Sequence, residues 1–256
     1  MVNYLAQTRP DQAFTLFLSF NQLTLSSVKK LAGQTMWYGV SSIAARFLNY
    51  LLTPYLTLKL SGAAYGDLTI IYSAIPFLNV IFTYGLETAY FRYVQKKETE
   101  DNVYNTATIS LIVSTIVFTS LMLALRMPLA NLLRLEAHPE YITLSAFIIA
   151  FDSLSALAFA KLRHHGRPRK FAFVRVAGIV INILFTFFFL SICPKIAETN
   201  PNSFLLYFYN KDIGIGYVFI ANLIQSVFTL ILLWKEFFSF KWKFDNALWK
   251  EMMIYS

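Results

Sequence analysis

Cysteine, histidine and charge are all scarce in this chain. A single thiol, Cys193, among 256 residues excludes an internal disulfide framework. Three histidines, His138, His164 and His165, show no metal-ligand spacing with any Cys, so neither a metal nor another cofactor is expected. No Asn-x-Ser/Thr acceptor occurs, which leaves a glycosylated secretory protein without support. Charged residues make up only 14% of the chain, too few to solvate a large water-facing surface. The acidic run Glu98, Glu100 and Asp101 reads as a solvated turn rather than as the clustered carboxylates of an enzyme.

What replaces them is apolar. Hydrophobic residues reach 57% and mean hydropathy is +0.52, so lipid has to be part of the solvent. A first apolar stretch runs from Leu31 to Leu58, and five more follow at roughly 67 to 91, 104 to 125, 141 to 162, 171 to 193 and 214 to 234. Each is long enough for a helix to cross a hydrocarbon core. The expected fold is all-α, a polytopic membrane protein with a six-helix transmembrane bundle over residues 29–240. Residues 1–28 read as a cytoplasmic extension and residues 241–256 as a cytoplasmic segment leading into a missing seventh helix.

Charge orients this bundle. Of 22 Lys and Arg, 16 fall at the N-terminal side and in the loops that share it, 5 fall on the opposite side, and Arg46 lies inside. The positive-inside rule then makes both ends of the chain cytoplasmic. The net charge of +8 is accounted for by anionic lipid headgroups beside those loops, and no nucleic-acid partner is expected.

Arg46 is the sharpest feature. No other charge occurs between Lys30 and Lys59. An ionisable side chain at that depth costs at least ~2.5 kcal/mol on insertion-based scales. Thr35, Gly39, Ser42, Arg46, Asn49, Thr53 and Thr57 recur at steps of three or four, forming one polar or small face. That face predicts Arg46 pointing into protein or a watery cavity. Similar stripes follow: Thr69, Ser73, Pro76, Asn79, Thr83 and Glu87; then Arg175, Gly178, Asn182 and Thr186; then Asn222, Gln225 or Ser226, and Thr229. Small and polar residues also join membrane helices without further function, and this reading stands beside the functional one. Asp152, seven residues after Ser145 on one face, is open to three roles: ion-pair partner of Arg46, proton or cation site, or both. Pro54 and Pro76 each remove a backbone hydrogen bond and favour kinks.

The stretches LAGQTMWYGVSSIAARFLNYLLTPYLT (31–57), YGDLTIIYS (65–73), YGLETAYFRY (84–93) and KLRHHGRPRKFA (161–172) resemble the bacterial polysaccharide and O-antigen repeat-unit flippases. These are oligosaccharide exporters of the multidrug/oligosaccharidyl-lipid/polysaccharide superfamily. The most specific parts are the first helix and the pattern formed by Gly85, Leu86, Thr88, Ala89 and Arg92. The resemblance implies movement of a polyprenyl-pyrophosphate-linked oligosaccharide across the inner membrane, for lipopolysaccharide or related surface polymers, by alternating access between two helical lobes. This chain would then be the N-terminal lobe, partnered by a missing C-terminal lobe or by a second copy.

A guanidinium, permanently charged and forked, suits phosphate oxygens. Arg46 is therefore the leading substrate-binding candidate, with Ser42 and Asn49 on its face. Arg92 would capture the headgroup at the cytoplasmic end, Glu87 would help reset or repel it, and Asp152 would couple transport to an ion. A multidrug or cation exporter of the same superfamily would prefer acidic cavity residues, whereas here the deepest cleanly placed charge is basic.

Overall fold

The computed structural model describes residues 33, 35–44, 46–48, 50–95, 100–200, 209–210 and 213–255. The expected N-terminal extension, residues 1–28, and Asn49 lie outside them. The chain is all-α, with no strand among the described residues. The described residues between 35 and 59 are helical and form α1. Then come α2 (Gly62–Thr83), α3 (Leu86–Val94), α4 (Glu100–Ala124), α5 (Arg126–Leu132), α6 (Glu140–His164) and α7 (Pro168–Phe187). A π-helical turn, Phe188–Ile192, joins α7 to α8 (Cys193–Thr199), and α9 (Gly216–Leu232), α10 (Trp234–Phe237) and α11 (Asn246–Met253) complete the order.

Four helical spans among the described residues are long and apolar enough to cross a membrane: Gly62–Thr83, Glu100–Ala124, Glu140–His164 and Pro168–Thr199. The 17-residue α9 is apolar but shorter. At 1.5 Å per residue it reaches about 26 Å, and only with α10 beyond Leu233 does it match a hydrocarbon core of about 30 Å.

The structure departs from the expected segments in two places. The stretch from 67 to 91 is not one helix, because α2 ends at Tyr84 and α3 restarts after Gly85. Both joint residues are left-handed, at φ 33° and 72°. Gly85 has no Cβ to oppose that conformation. Tyr84 is fastened there by its backbone N–H, which donates to the Val80 carbonyl at 2.7 Å, and by its hydroxyl, which is bonded to Ser110. The short α5 was not expected at all; it turns the chain back between α4 and α6.

The bundle is organised around α6, which packs against α2, α4 and α9, while α7 packs against α9. At one end, Leu68, Ile71 and Phe82 of α2 meet Ile148 and Ile149 of α6 and Phe219 of α9 in an apolar core. At the other end, Tyr90 and Tyr93 of α3 and Tyr104 of α4 pack with Leu248 and Met252 of α11. The segment expected to lead into a further helix is thus docked. Asp245 caps α11 by accepting from the Ala247 and Leu248 backbone N–H groups at 3.0 and 3.1 Å, which satisfies two of its orphan donors.

Gly178 sets the distance between α7 and α9. A Cβ at that position would lie 2.9 Å from Thr229 Oγ1 and 3.5 Å from Gln225 Cγ. Small residues permit such close approach between membrane helices.

Candidate functional site: a polar cleft and its charged end

Two adjoining cavities run along α2, α7 and α9 and share Gln225. The larger, of about 600 Å³, has Thr53 of α1 and Thr69, Tyr72 and Ser73 of α2 facing Asn182 of α7 and Asn222 of α9. The Asn222 amide donates to the Tyr72 hydroxyl at 3.2 Å, and Tyr72 stacks on Phe219 with ring centroids 5.7 Å apart. Hydroxyls and amides on an apolar frame make this a surface suited to uncharged polar ligands such as sugars.

The smaller cavity, of about 320 Å³, carries the charge. Glu87, Asp152, Arg163 and Arg175 all line it, with Asn79, Ser155, Gln225 and Thr229 between them. Arg163 forms an ion pair with Glu87, so α6 is tied to α3 just beyond the Tyr84–Gly85 joint. Its guanidinium also lies 5.4 Å from the Phe91 ring and 5.7 Å from Phe171. Arg175 lies 5.4 Å from the Phe159 ring and 5.3 Å from Phe171, and forms no ion pair among the described residues. Planar guanidinium groups gain cation–π attraction from such rings while keeping their donors for other partners.

A second charge layer closes the bundle at this same end. Lys170 donates to the buried Glu236 carboxylate at 2.6 Å, with Arg167 at 3.6 Å. Tyr104 donates to the Glu236 carbonyl at 2.7 Å, as does Ser239 at 2.6 Å, and Lys161 donates to Ser239 at 2.8 Å. His165 and Glu100 are 2.6 Å apart. The cationic residues at the end of α6 and the start of α7 therefore have structural partners within the bundle.

The residues singled out from sequence fall in different places. Glu87 and Asp152 share one cavity, as do the striped residues Asn79, Arg175, Gln225 and Thr229. Thr69, Ser73, Pro76, Asn182 and Asn222 line the neighbouring one. Arg46 is exposed and forms no ion pair among the described residues. Of the roles left open for Asp152, an ion pair with Arg46 is not formed in this structure; Asp152 shares its cavity with Arg163 and Arg175. Ser42 is half-buried, its hydroxyl donating to the Tyr38 carbonyl at 2.9 Å. Arg92 is exposed, its guanidinium 3.6 Å from the centre of the Tyr255 ring.

Arg163 is the residue that sequence reasoning passed over, since it counts there only as a loop cation. A signal was present. Ser155, Ala156, Phe159 and Arg163 follow Asp152 by three, four, seven and eleven residues and all line the cavity, so one face of α6 carries Arg163 into it.

Neither a curated protein nor a solved structure matches this chain significantly. The family model described as polysaccharide biosynthesis protein does match, over residues 56–193, more than half of the sequence and all of α2 to α7. With a helical membrane bundle around a polar cleft and a match of that extent, the chain belongs to the polysaccharide biosynthesis protein family.

Proposed function

We propose that this protein is a flippase that carries a polyprenyl-pyrophosphate-linked oligosaccharide from the cytoplasmic to the outer leaflet of the bacterial inner membrane. It acts by alternating access, with a further lobe or a second copy supplying the opposite wall. The observation that carries this reading is the pair of adjoining cavities joined at Gln225, one lined by hydroxyls and amides and the other by charges. A lipid-linked oligosaccharide presents the same two chemistries, neutral sugars beside an anionic phosphate linkage. Membership of a polysaccharide biosynthesis family supports the substrate class.

Arg46, with Ser42 and Asn49, is assigned to the headgroup in the middle of the membrane, and Arg92 to its capture at the cytoplasmic surface. The exposure of Arg46 and Arg92 is compatible with contacts to a substrate or to the opposite wall. Asp152 is assigned to ion coupling and Glu87 to resetting. A second reading, export of a cationic drug, draws on Glu87 and Asp152 in the cavity, but two guanidinium groups there oppose a cation.

The test is reconstitution of the full-length protein in proteoliposomes with a fluorescent lipid-linked oligosaccharide in the inner leaflet. Protein-dependent appearance of the sugar outside, read by lectin capture, supports flipping. Failure to move it, together with uptake of a cationic dye by the same vesicles, would overturn the proposal in favour of the exporter.

A further inference from the structure

The charged cavity contains a feature that a simple ion-pair joint between helices does not need. Arg163 has Glu87 as its carboxylate partner, yet its buried Nε has no hydrogen-bond partner. Arg175 brings a second guanidinium into the same space without an ion pair among the described residues. A guanidinium has five donors in a planar fork, and one carboxylate cannot occupy them all. The pair is also reachable, since the side chains of Arg163 and Glu87 are 35% and 38% exposed.

We propose that Arg163 and Arg175 form a binding site for a phosphate or diphosphate group, and that Glu87 is the internal anion this ligand displaces. The site takes from the proposed function only that the cleft is the path of the substrate. Tetrahedral phosphate oxygens accept from two forked donors at once, which one planar carboxylate cannot do as well. With Glu87 displaced, the two guanidinium groups face the single carboxylate of Asp152, so the lining becomes net positive. Ser155, Gln225 and Thr229 add neutral donors around the same space.

The position of Glu87 links binding to the backbone. It is the second residue of α3, directly after the left-handed joint at Tyr84 and Gly85, and Gly85 gives α3 no side-chain cap. Releasing Glu87 from Arg163 thus frees the start of α3 from its ionic tie to α6, beside the left-handed joint between α2 and α3. Hinges of this kind absorb their motion in a few terminal residues of an element.

Inorganic pyrophosphate titrated by calorimetry into the intact protein, held in phosphatidylcholine nanodiscs, tests the site. Glu87→Gln should tighten binding about tenfold, because the competitor is neutralised while its shape is kept, and Arg163→Gln and Arg175→Gln should each weaken it about tenfold. Arg134→Gln, a change of equal charge elsewhere, should leave affinity unchanged. If Glu87 serves only to fasten α3, Glu87→Gln lowers the unfolding temperature without tightening binding, and that result overturns the proposal. Absence of binding in both the unsubstituted protein and Glu87→Gln overturns it as well, whatever happens to the two arginine variants.

A polyprenyl diphosphate added to the nanodisc separates two sources of the same chemistry. Displacement of pyrophosphate by the lipid assigns the site to a headgroup, and persistence of bound pyrophosphate assigns it to a free anion. Oligosaccharide movement that survives loss of pyrophosphate binding in Arg163→Gln and Arg175→Gln removes the site from the transport path and leaves flipping standing. Pyrophosphate binding without any oligosaccharide movement does the reverse.

Discussion

Arg46 and Arg163 are both guanidinium groups carried by long apolar helices, but their surroundings have almost nothing in common. Arg163 is placed on a cavity wall with a carboxylate partner and two aromatic rings within 6 Å. Arg46 is exposed on α1 and has no ion-pair partner among the described residues. The cost of holding a charge within a bundle is met locally for Arg163. For Arg46 no such compensation is present among the described residues. Helical periodicity put Arg46 on a polar face and left Arg163 among the loop cations; it did not tell which of the two would face a cavity of this bundle.

The largest expected effect breaks or sustains this contrast directly. Arg46→Ala in the full-length protein should abolish oligosaccharide export while membrane insertion and abundance stay normal, and Arg46→Lys should recover part of it because the fork geometry is lost. Since Asp152 shares its cavity with Arg163 and Arg175, the double variant Arg46→Ala with Asp152→Ala should not restore export. Restored surface polymer in that variant, read by immunoblot of polymer and protein together, would show that the two residues are coupled after all.

The two ends of the bundle can be told apart by labelling. In a Cys193→Ser background, cysteines at Lys97 and His165 should resist an impermeant thiol reagent added outside intact cells, and a cysteine at Asn200 should react. Mass tagging on a gel reads the result. The reverse pattern would place the Glu87–Arg163 cavity nearer the outer surface and remove the capture role from Arg92.

Smaller effects sharpen the comparison between a well-packed interior and an open α1 face. Gly178→Val should lower stability by about 1–3 kcal/mol, the usual range for overpacking, because its side chain would press on Thr229 and Gln225. Gly39, whose Cβ position has no neighbour within 4 Å, should accept Ala without a measurable loss. Thermal unfolding in one detergent compares the two. Tyr104→Phe should cost about 0.5–1.5 kcal/mol, since it removes one of two hydroxyl donors to the Glu236 carbonyl and leaves Ser239 as the other. Its effect on export should be slight, because Tyr104 does not line either cavity.

Much of the fold was legible because lipid imposes a simple constraint on sequence: a spanning helix must be long and apolar. The segments from 104 to 125 and 141 to 162 correspond closely to α4 and α6. The joint at Tyr84 and Gly85 was not legible, since an aromatic residue in the left-handed region is held there by Ser110, a neighbour from α4. Nor was α5, whose seven residues are too few for periodicity to declare. In the site, the stripes of Asn79 and Glu87, of Arg175 and Asn182, and of Asn222 and Gln225 were visible one helix at a time. Arg163 stayed hidden, because a cation at a helix end beside a basic loop is the ordinary signature of a membrane boundary.

Composition and periodicity by themselves determined the membrane class of this protein, its all-α fold and the identity of most polar faces. Those properties follow from the exclusion of water from lipid and from the helical repeat, both local to one segment. Only the tertiary structure decided which faces meet. Glu87 and Arg163 are joined across 76 residues of sequence, Gln225 lines both cavities, and α9 lies close enough to α7 for a Cβ at Gly178 to meet Thr229. Ion pairs and cavities depend on distances between helices, and those distances are set by packing that no single helix encodes.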